Sequence, residues 1–452
     1  MALTENDMTK LLDMAENKQY LKLKSELVEM NEYDIAEILS EMPPEKALVV
    51  FRLLPKDLSS DVFACLDIDE QQHIINSIED KELNSIIEDL AIDDAVDMVE
   101  ELPASMVKRI LKNATPETRK QINQFLQYPD NSAGSIMTNE YVALRPQMSV
   151  REAFDYIRAH GVDKETIYTC YVITPSRELL GVVTLKDMMM SAYDVRIQDI
   201  MDDNVITATT TEDQEEVAAD FNKYDLLAMP VVDKEKRLVG IVTVDDIVDV
   251  MEAEATEDFQ KMAATAPNEK PYLKTGVFEL AKNRIPWLLF LMLSSTLSGA
   301  ILTRYENAFA AIPLLVSFTP MLMNTGGNSG SQSSAMIIRG MSIGEIEPTD
   351  ILKVIWKEVR VGLIAGMVLA VANFIRLMIQ YPGNTMISFV VVASVFVTVV
   401  IAKTIGCTLP IAAKVLKMDP AIMAGPLITT IVDAVSLIVY FNLACMLLDM
   451  TV

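Results

Sequence analysis

The apolar positions follow one rhythm early in the chain and another late. From residue 1 to about 130, Leu, Ile and Val return at three- and four-residue spacing with acids between them, which predicts amphipathic helices throughout. Proline punctuates the segments at Pro43-Pro44, Pro55, Pro103, Pro116 and Pro129. A weak repeat links them: Ala36-Glu-Ile-Leu-Ser-Glu-Met-Pro43 is similar to Val96-Asp-Met-Val-Glu-Glu-Leu-Pro103, with Leu48-Val-Val-Phe-Arg-Leu-Leu-Pro55 a third relative. Short helices of one pattern predict a small all-helical superhelix. Toward the C-terminus the apolar residues merge into five stretches, Ile285–Thr303, Ala308–Met323, Val359–Ile379, Met386–Ile401 and Ala421–Leu448. A helix needs about 20 residues to cross a bilayer, so these predict five spans.

Between the two regimes the pattern is duplicated. Ser135-Ile-Met-Thr138 and Asp199-Ile-Met-Asp202 open two copies; Leu180-Gly-Val-Val-Thr-Leu-Lys-Asp187 and Val239-Gly-Ile-Val-Thr-Val-Asp-Asp246 close them. Each copy reads helix, strand, turn, strand, helix, with strands at Tyr171–Thr174 and Gly181–Leu185, then Met229–Val232 and Gly240–Val244. This arrangement resembles a tandem pair of CBS domains. The resemblance implies an α/β pair that self-associates and takes an adenine nucleotide such as ATP in its cleft. The Thr184 and Thr243 hydroxyls would then meet the nucleotide, with Asp187 and Asp246 at the ribose. The alternative is that these Thr and Asp residues only cap the helices that follow.

The second copy runs into an acidic stretch with Asp245, Asp246, Asp249, Glu252, Glu254, Glu257 and Asp258, leading into a helix of about twenty residues that should end near Lys274. Carboxylates three or four apart share a helix face and repel. Either the face is simply solvated, or divalent cations bridge it to acids of the first domain such as Glu88, Asp89, Asp93, Asp94 and Asp97.

Charge sharpens the division. The chain has 452 residues and a net charge of −26; the part before Gly276 carries −28 and the rest +2. Such an acidic surface argues against nucleic acid and suits cations that prefer oxygen ligands. The four cysteines, Cys65, Cys170, Cys407 and Cys445, have no paired spacing, and His73 and His160 are isolated, so no zinc or redox site is expected. The N-terminus lacks the apolar core of a signal peptide, which places the first half in the cytoplasm. Lys282, Arg284, Arg339, Lys353, Lys357, Arg360, Lys414 and Lys417 flank one side of the spans, and Arg304 and Arg376 the other. The positive-inside rule then puts the C-terminus outside. Trp287 and Trp356 sit at span ends, as interfacial anchors do.

Two features of the spans point to chemistry. Asp433 lies near the middle of the last one, where an acid costs about 2.5–3.5 kcal/mol to insert. It is either a polar packing contact or a ligand for a cation crossing the membrane. The second span breaks at Thr319 into a polar segment containing Asn324, Gly326, Gly327, Asn328, Gly330 and Gln332. Non-helical polar backbone at that depth is expected to line a water-filled cavity; small residues at a helix contact are the alternative.

The order of parts resembles the MgtE family of magnesium channels. Glu254-Ala-Thr-Glu-Asp258, Arg284-Ile-Pro-Trp287, Gly326-Gly-Asn-Ser-Gly-Ser-Gln332, Asp419-Pro420 and Gly425-Pro-Leu-Ile-Thr-Thr-Ile-Val-Asp433 carry the match. The resemblance implies a multidomain membrane protein. Its parts would be an acidic all-α superhelical cytosolic domain at 1–130, the tandem CBS pair at 131–251, a connecting "plug" helix at 252–275 and a five-helix transmembrane domain at 276–452. It implies a homodimer in the plasma membrane, voltage-driven uptake of Mg²⁺, and closure when intracellular Mg²⁺ binds the acidic domains. Asp433 would hold hydrated Mg²⁺ in the pore, with Asn328, Gln332, Asp419 and Thr429 around the path. Asp93, Asp94, Asp97, Asp245, Asp246, Asp249, Glu254, Glu257 and Asp258 would be sensor ligands. The rival readings are exchange of a divalent cation for Na⁺ or H⁺, a CBS-regulated anion channel, and a membrane-anchored nucleotide sensor. An enzyme is least expected, since no nucleophile–base pair or phosphate loop is present.

Overall fold

The early helical periodicity folds as ten short helices among the described residues: α1 (Glu5–Glu16), α2 (Tyr20–Leu27), α3 (Glu32–Ser40), α4 (Pro44–Phe51), α5 (Lys56–Ala64), α6 (Ile68–Ser77), α7 (Asp80–Asp89), α8 (Ile92–Glu101), α9 (Ala104–Asn113) and α10 (Pro116–Phe125). In this computed structural model residues 5–162, 164–268, 270, 272–306 and 312–449 are described. The prolines begin helices: Pro43, Pro55 and Pro103 are N-caps of α4, α5 and α9, and Pro116 opens α10. A first-turn residue needs no backbone N–H, so proline is tolerated there. Alternate helices stack, α1 on α3, α3 on α5, α5 on α7 and α7 on α9, with α4 on α6 and α8 on α10. The apolar stripe of each helix feeds one core, in which Ile35, Ile75, Leu83, Ile87 and Ile110 are fully buried.

The duplicated segment forms two matching three-stranded sheets. The first has β1 (Tyr141–Leu144), β2 (Thr166–Ile173) and β3 (Leu179–Thr184), with α11 (Val150–His160) and α12 (Leu185–Met190). The second has β4 (Ala208–Thr209), β5 (Ala228–Val232) and β6 (Leu238–Thr243), with α13 (Gln214–Tyr224) and α14 (Val244–Met262). In each sheet the first pair is parallel and the hairpin antiparallel, and the hairpin register slips at the same place, Val172/Ile173 and Val231/Val232. The opening segment of each copy packs on the hairpin of the other. Thr138 bridges Ile241 and Asp202 bridges Val182. A Cβ on Gly240 would lie 2.7 Å from the Thr138 carbonyl and one on Gly181 2.6 Å from that of Asp202, so both closing motifs require glycine.

By internal contacts the chain divides into two units, Met1–Val250 and Met251–Val452. The second holds α15 (Val277–Arg304), α16 (Thr319–Ser342), α17 (Ile351–Gln380), α18 (Thr385–Val415) and α19 (Gly425–Leu448). Among the described residues four helices are long and apolar enough to cross a membrane, those containing α15, α17, α18 and α19. The start of the expected second span, 308–311, lies outside the described residues.

Two expectations are corrected. The polar segment after Thr319 is continuous helix, not irregular backbone. Small residues let α18 and α19 pack against α16 while its backbone hydrogen bonds stay within the helix, which a bilayer demands. The connecting helix contains the acidic run and stops at Met262 rather than near Lys274. Ala264 has a φ of +55° and Pro267 follows, a combination that ends a helix.

Candidate functional site

In the membrane unit, α19 begins at Gly425, whose φ is +42° and where a Cβ would lie 2.7 Å from the Met262 carbonyl oxygen. Pro426 follows in the first turn. About two turns further on, Asp433 is half-buried. No basic side chain among the described residues forms an ion pair with it. The glycine face of α16 lies against it: a Cβ on Gly327 would come within 3.2 Å of Thr429 and 3.5 Å of an Asp433 carboxylate oxygen. Gly326 faces Ser436, Thr398 and Val432, and Gly330 faces Ile428 and Val432.

Asn324, Asn328 and Gln332 form an exposed stripe at four-residue spacing along α16, and the Asn328 amide donates to the Asn324 side-chain oxygen at 3.1 Å. The Thr429 hydroxyl donates within its own helix to the Pro426 carbonyl at 2.8 Å. Asp419 caps the turn Pro420–Met423 by accepting from the Ala421 N–H at 2.8 Å. Asp419 also pairs with Lys261 at 2.6 Å, and Lys261 with Glu257 at 2.5 Å. Burial alone would lower the Lys261 pKa, but hydrogen bonds from its ammonium to Asp419 and Glu257 outweigh that and hold it above its ordinary value. Burial, then the nearby Asp419 charge, raises the Asp258 carboxyl.

A further set of charges was invisible to the sequence reading. Lys403 of α18 is buried beside Glu358 of α17 and Ser333 of α16. The expected spans stopped short of both charged residues, whereas the helices run through them.

In the first unit, α8 buries Ile92, Ala95, Val96, Met98 and Val99 and carries Asp93, Asp94 and Asp97 along its other positions. Asp93 has one buried carboxylate oxygen with no hydrogen-bond partner. Burial, then the charges of Asp94 and Asp246, pushes the Asp93 carboxyl up to about 8. Asp94 and Asp97 reach water but are crowded, and this partial desolvation together with neighbouring acids raises both. Burial likewise raises Glu165, helped by Asp245 and Asp246. Asp246 is raised by burial against the opposing hydrogen bond from Thr243. Acids of α8 and of the CBS-like pair are therefore held in mutual repulsion. Glu88 and Asp89 are engaged elsewhere: Glu88 accepts from the Thr115 N–H at 2.8 Å and the Thr118 hydroxyl at 2.8 Å, and Asp89 pairs with Lys56. Among the described residues no three carboxylate, imidazole or thiolate groups converge closely enough to hold one metal ion directly.

The Thr–Asp pairs of the two closing motifs bond to each other. Thr184 donates to Asp187 and Thr243 to Asp246, both at 2.5 Å, and Thr184 with Asp187 forms a capping box on α12. Tyr171, Ile173, Leu238 and Ile241 make an apolar cluster shared by the two sheets, with the buried Tyr171 hydroxyl unpartnered.

Comparison with known proteins agrees across the chain. Residues 319–443 match the family model for MgtE, described as a divalent cation transporter; 30–131 match the MgtE intracellular N domain; 133–193 and 197–253 match CBS domains. A magnesium transporter MgtE from Bacillus subtilis is 35% identical over 421 residues, covering 93% of each chain. Another from Thermus thermophilus is 35% identical over 431 residues, covering 94% of this chain and 95% of its own. Among solved structures, the soluble part of a magnesium transporter aligns with a TM-score of 0.52 at 29% identity, covering 56% of this chain and 99% of that one. The cytosolic domain of the Mg²⁺ channel MgtE in complex with ATP aligns with a TM-score of 0.51 at 35% identity, covering 54% and 99%.

Proposed function

This chain belongs to the MgtE family of magnesium transporters, and from that premise we propose that it is a voltage-driven Mg²⁺ channel closed by intracellular Mg²⁺. The observation that carries the reading is Asp433, an acid within a membrane-crossing helix, half-buried and without an ion-pair partner among the described residues. Mg²⁺ keeps its waters and is satisfied by few carboxylates. Two copies of Asp433 across a dimer axis would offset its charge. The exposed stripe of Asn324, Asn328 and Gln332 supplies amides that a second copy would enclose, with Thr429 and Asp419 nearer the cytoplasmic end of the path. An inward-negative potential supplies about 4.6 kcal/mol per 100 mV for a divalent ion. In this reading α16 completes five spans, the N-terminus is cytoplasmic and the C-terminus lies outside a plasma membrane.

Closure follows from the acids. Asp93, Asp94, Asp97, Asp245, Asp246 and Asp249 repel while Mg²⁺ is scarce and are drawn together by hydrated Mg²⁺ when it is plentiful, a ligand-driven population shift. The end of α14, with Glu254, Glu257 and Asp258, acts as the plug; its support is the Lys261 bridge to Asp419 and the approach of Met262 to Gly425. ATP is the ligand proposed for the CBS pair, as in the relative solved with it. Thr184, Asp187, Thr243 and Asp246 would exchange their mutual bonds for it.

The test is Mg²⁺ uptake into liposomes holding the purified chain under a negative-inside potential, with Asp433→Ala in parallel. Uptake driven by voltage alone and lost in the variant is the expected result. Uptake that needs a Na⁺ or H⁺ gradient replaces the channel with an exchanger, and a variant that transports normally removes Asp433 from the path.

A further inference from the structure

Lys403 is 7% exposed inside α18, a depth at which a lysine persists only with partners. Its ammonium donates to the Ser333 hydroxyl at 3.2 Å and lies 3.9 Å from a Glu358 carboxylate oxygen. Ser333 is 2.6 Å from that same oxygen, far closer than the 3.4 Å to the Ser329 carbonyl. A hydroxyl has one proton. Given to Glu358, it leaves a lone pair to receive Lys403, so the arrangement suits an ionised acid and a charged lysine relayed through one serine. The three residues belong to three helices, α16, α17 and α18. At the same level Gly362 lets α17 approach closely, since a Cβ there would lie 3.1 Å from the Val400 Cα and 3.6 Å from the Lys403 Cδ.

The network grips α16 close to its glycine face. One turn back from Ser333, Gly330 abuts Ile428 and Val432 of α19, and a further turn back Gly327 abuts Thr429 and Asp433. A Cβ on Gly406 of α18 would collide with the Gly330 carbonyl. With so little slack, a shift of α16 at Ser333 is transmitted to the wall beside Asp433.

We propose that Lys403, Glu358 and Ser333 are positioning residues of the ion path: their relay holds α16 at the distance from α19 that sets the Mg²⁺ affinity of the site at Asp433. This rests on Asp433 being the pore acid. The pair is not itself a cation site, because the lysine already fills that place.

The experiment is the Mg²⁺ dependence of uptake by the full chain in liposomes, with Ser333→Ala, Lys403→Met and the double variant Lys403→Met/Glu358→Gln. The half-saturating Mg²⁺ concentration is expected to rise about tenfold in each single variant, a coupling typical of contacting residues. It should return to within about threefold of wild type in the double variant, since removing both charges of a buried pair is far less damaging than removing one. A purely structural role would lower the yield of folded protein and the maximal flux while leaving half-saturation unchanged, and that result overturns the proposal. A double variant no better than the singles also overturns it. Should Lys403→Met fail to fold, Ser333→Ala, which keeps both charges, and the double variant still decide. A wild-type protein that moves no Mg²⁺ sinks both this and the channel reading, whereas an active wild type with unmoved half-saturation sinks this one alone.

Discussion

In the unit spanning residues 1–250, Asp93, Asp94 and Asp97 sit near Asp246 and Glu165, and each is disfavoured as a charge. In the unit spanning 251–452, buried Lys403 has Glu358 and Ser333, and partly exposed Lys261 has Glu257 and Asp419. The acids around Asp93 store repulsion among like charges, whereas Lys403 and Lys261 are neutralised in place. Stored repulsion is costly in a protein of ordinary marginal stability, so its retention marks a place where something external supplies the missing positive charge. Internal pairing marks a place where geometry must stay fixed whatever the ionic conditions. By that criterion the acids of the first unit suit a variable ligand, the Lys403 network suits a scaffold, and Asp433, without an ion-pair partner among the described residues, suits the cargo of the proposed channel.

The sharpest way to break this comparison is to remove one acid from each region and compare signs. Glu358→Ala leaves Lys403 buried and uncompensated and should destabilise the membrane unit by about 3–5 kcal/mol. Thermal unfolding in detergent would show it, and an unchanged midpoint would mean the pair is not the scaffold inferred here. Asp93→Asn should do the opposite in the first unit. Without Mg²⁺, and at a pH above the value of about 8 to which its carboxyl is pushed, it removes a poorly solvated charge and should stabilise by about 1–3 kcal/mol, read as slower proteolysis within the first 250 residues. Faster cleavage would mean that Asp93 is satisfied in some other way.

Acid should imitate the cation more weakly. Asp93, Asp94, Asp97 and Glu165 all have pKa values raised above their unfolded ones. Each therefore binds more protons folded than unfolded. Their contribution is fully present below about pH 4 and is lost as pH rises through the folded values, which reach about 8 for Asp93. In chelator, the first unit should resist protease better at about pH 6 than at about pH 9, and added Mg²⁺ should narrow that gap. Equal resistance at both values, with and without Mg²⁺, would remove the stored repulsion.

Much of this contrast was legible in the sequence, because it follows from local pattern. The duplicated closing motifs announce two matching hairpins, and Asp433 stands out in an apolar run. What stayed hidden depends on which residues meet across elements. Glu88 and Asp89 look like Asp93 and Asp94 in composition, yet Glu88 is taken by the start of α10 and Asp89 by Lys56. The glycines of α16 read as a break because glycine disfavours helix in water. In an apolar bundle the intact backbone ladder outweighs that preference. The expected spans Val359–Ile379 and Met386–Ile401 left Glu358 and Lys403 outside, because a charge normally lies beyond a span. Only their meeting around Ser333 permits both inside.

The smallest effect belongs to Lys261, and it tests where the comparison blurs. Its ammonium sits between Glu257 and Asp419, with its side chain 22% exposed, so salt and solvent weaken the bridge. Lys261→Met should cost only about 1 kcal/mol. Its direction is informative, however. Removing the lysine leaves Glu257, Asp258 and Asp419 as neighbouring carboxylates with no ion-pairing cation among the described residues, which turns an internally paired site into one like that around Asp93. The variant should therefore hold the end of α14 less firmly at low Mg²⁺ and respond more steeply as Mg²⁺ is added, seen as protease cleavage between residues 262 and 276 across a Mg²⁺ titration. A variant that is looser at every Mg²⁺ concentration would show that the lysine is a plain structural bridge. One that tightens beyond wild type at high Mg²⁺ would show that Lys261 and Mg²⁺ compete for the same carboxylates, and that the boundary between stored and settled charge runs through this residue.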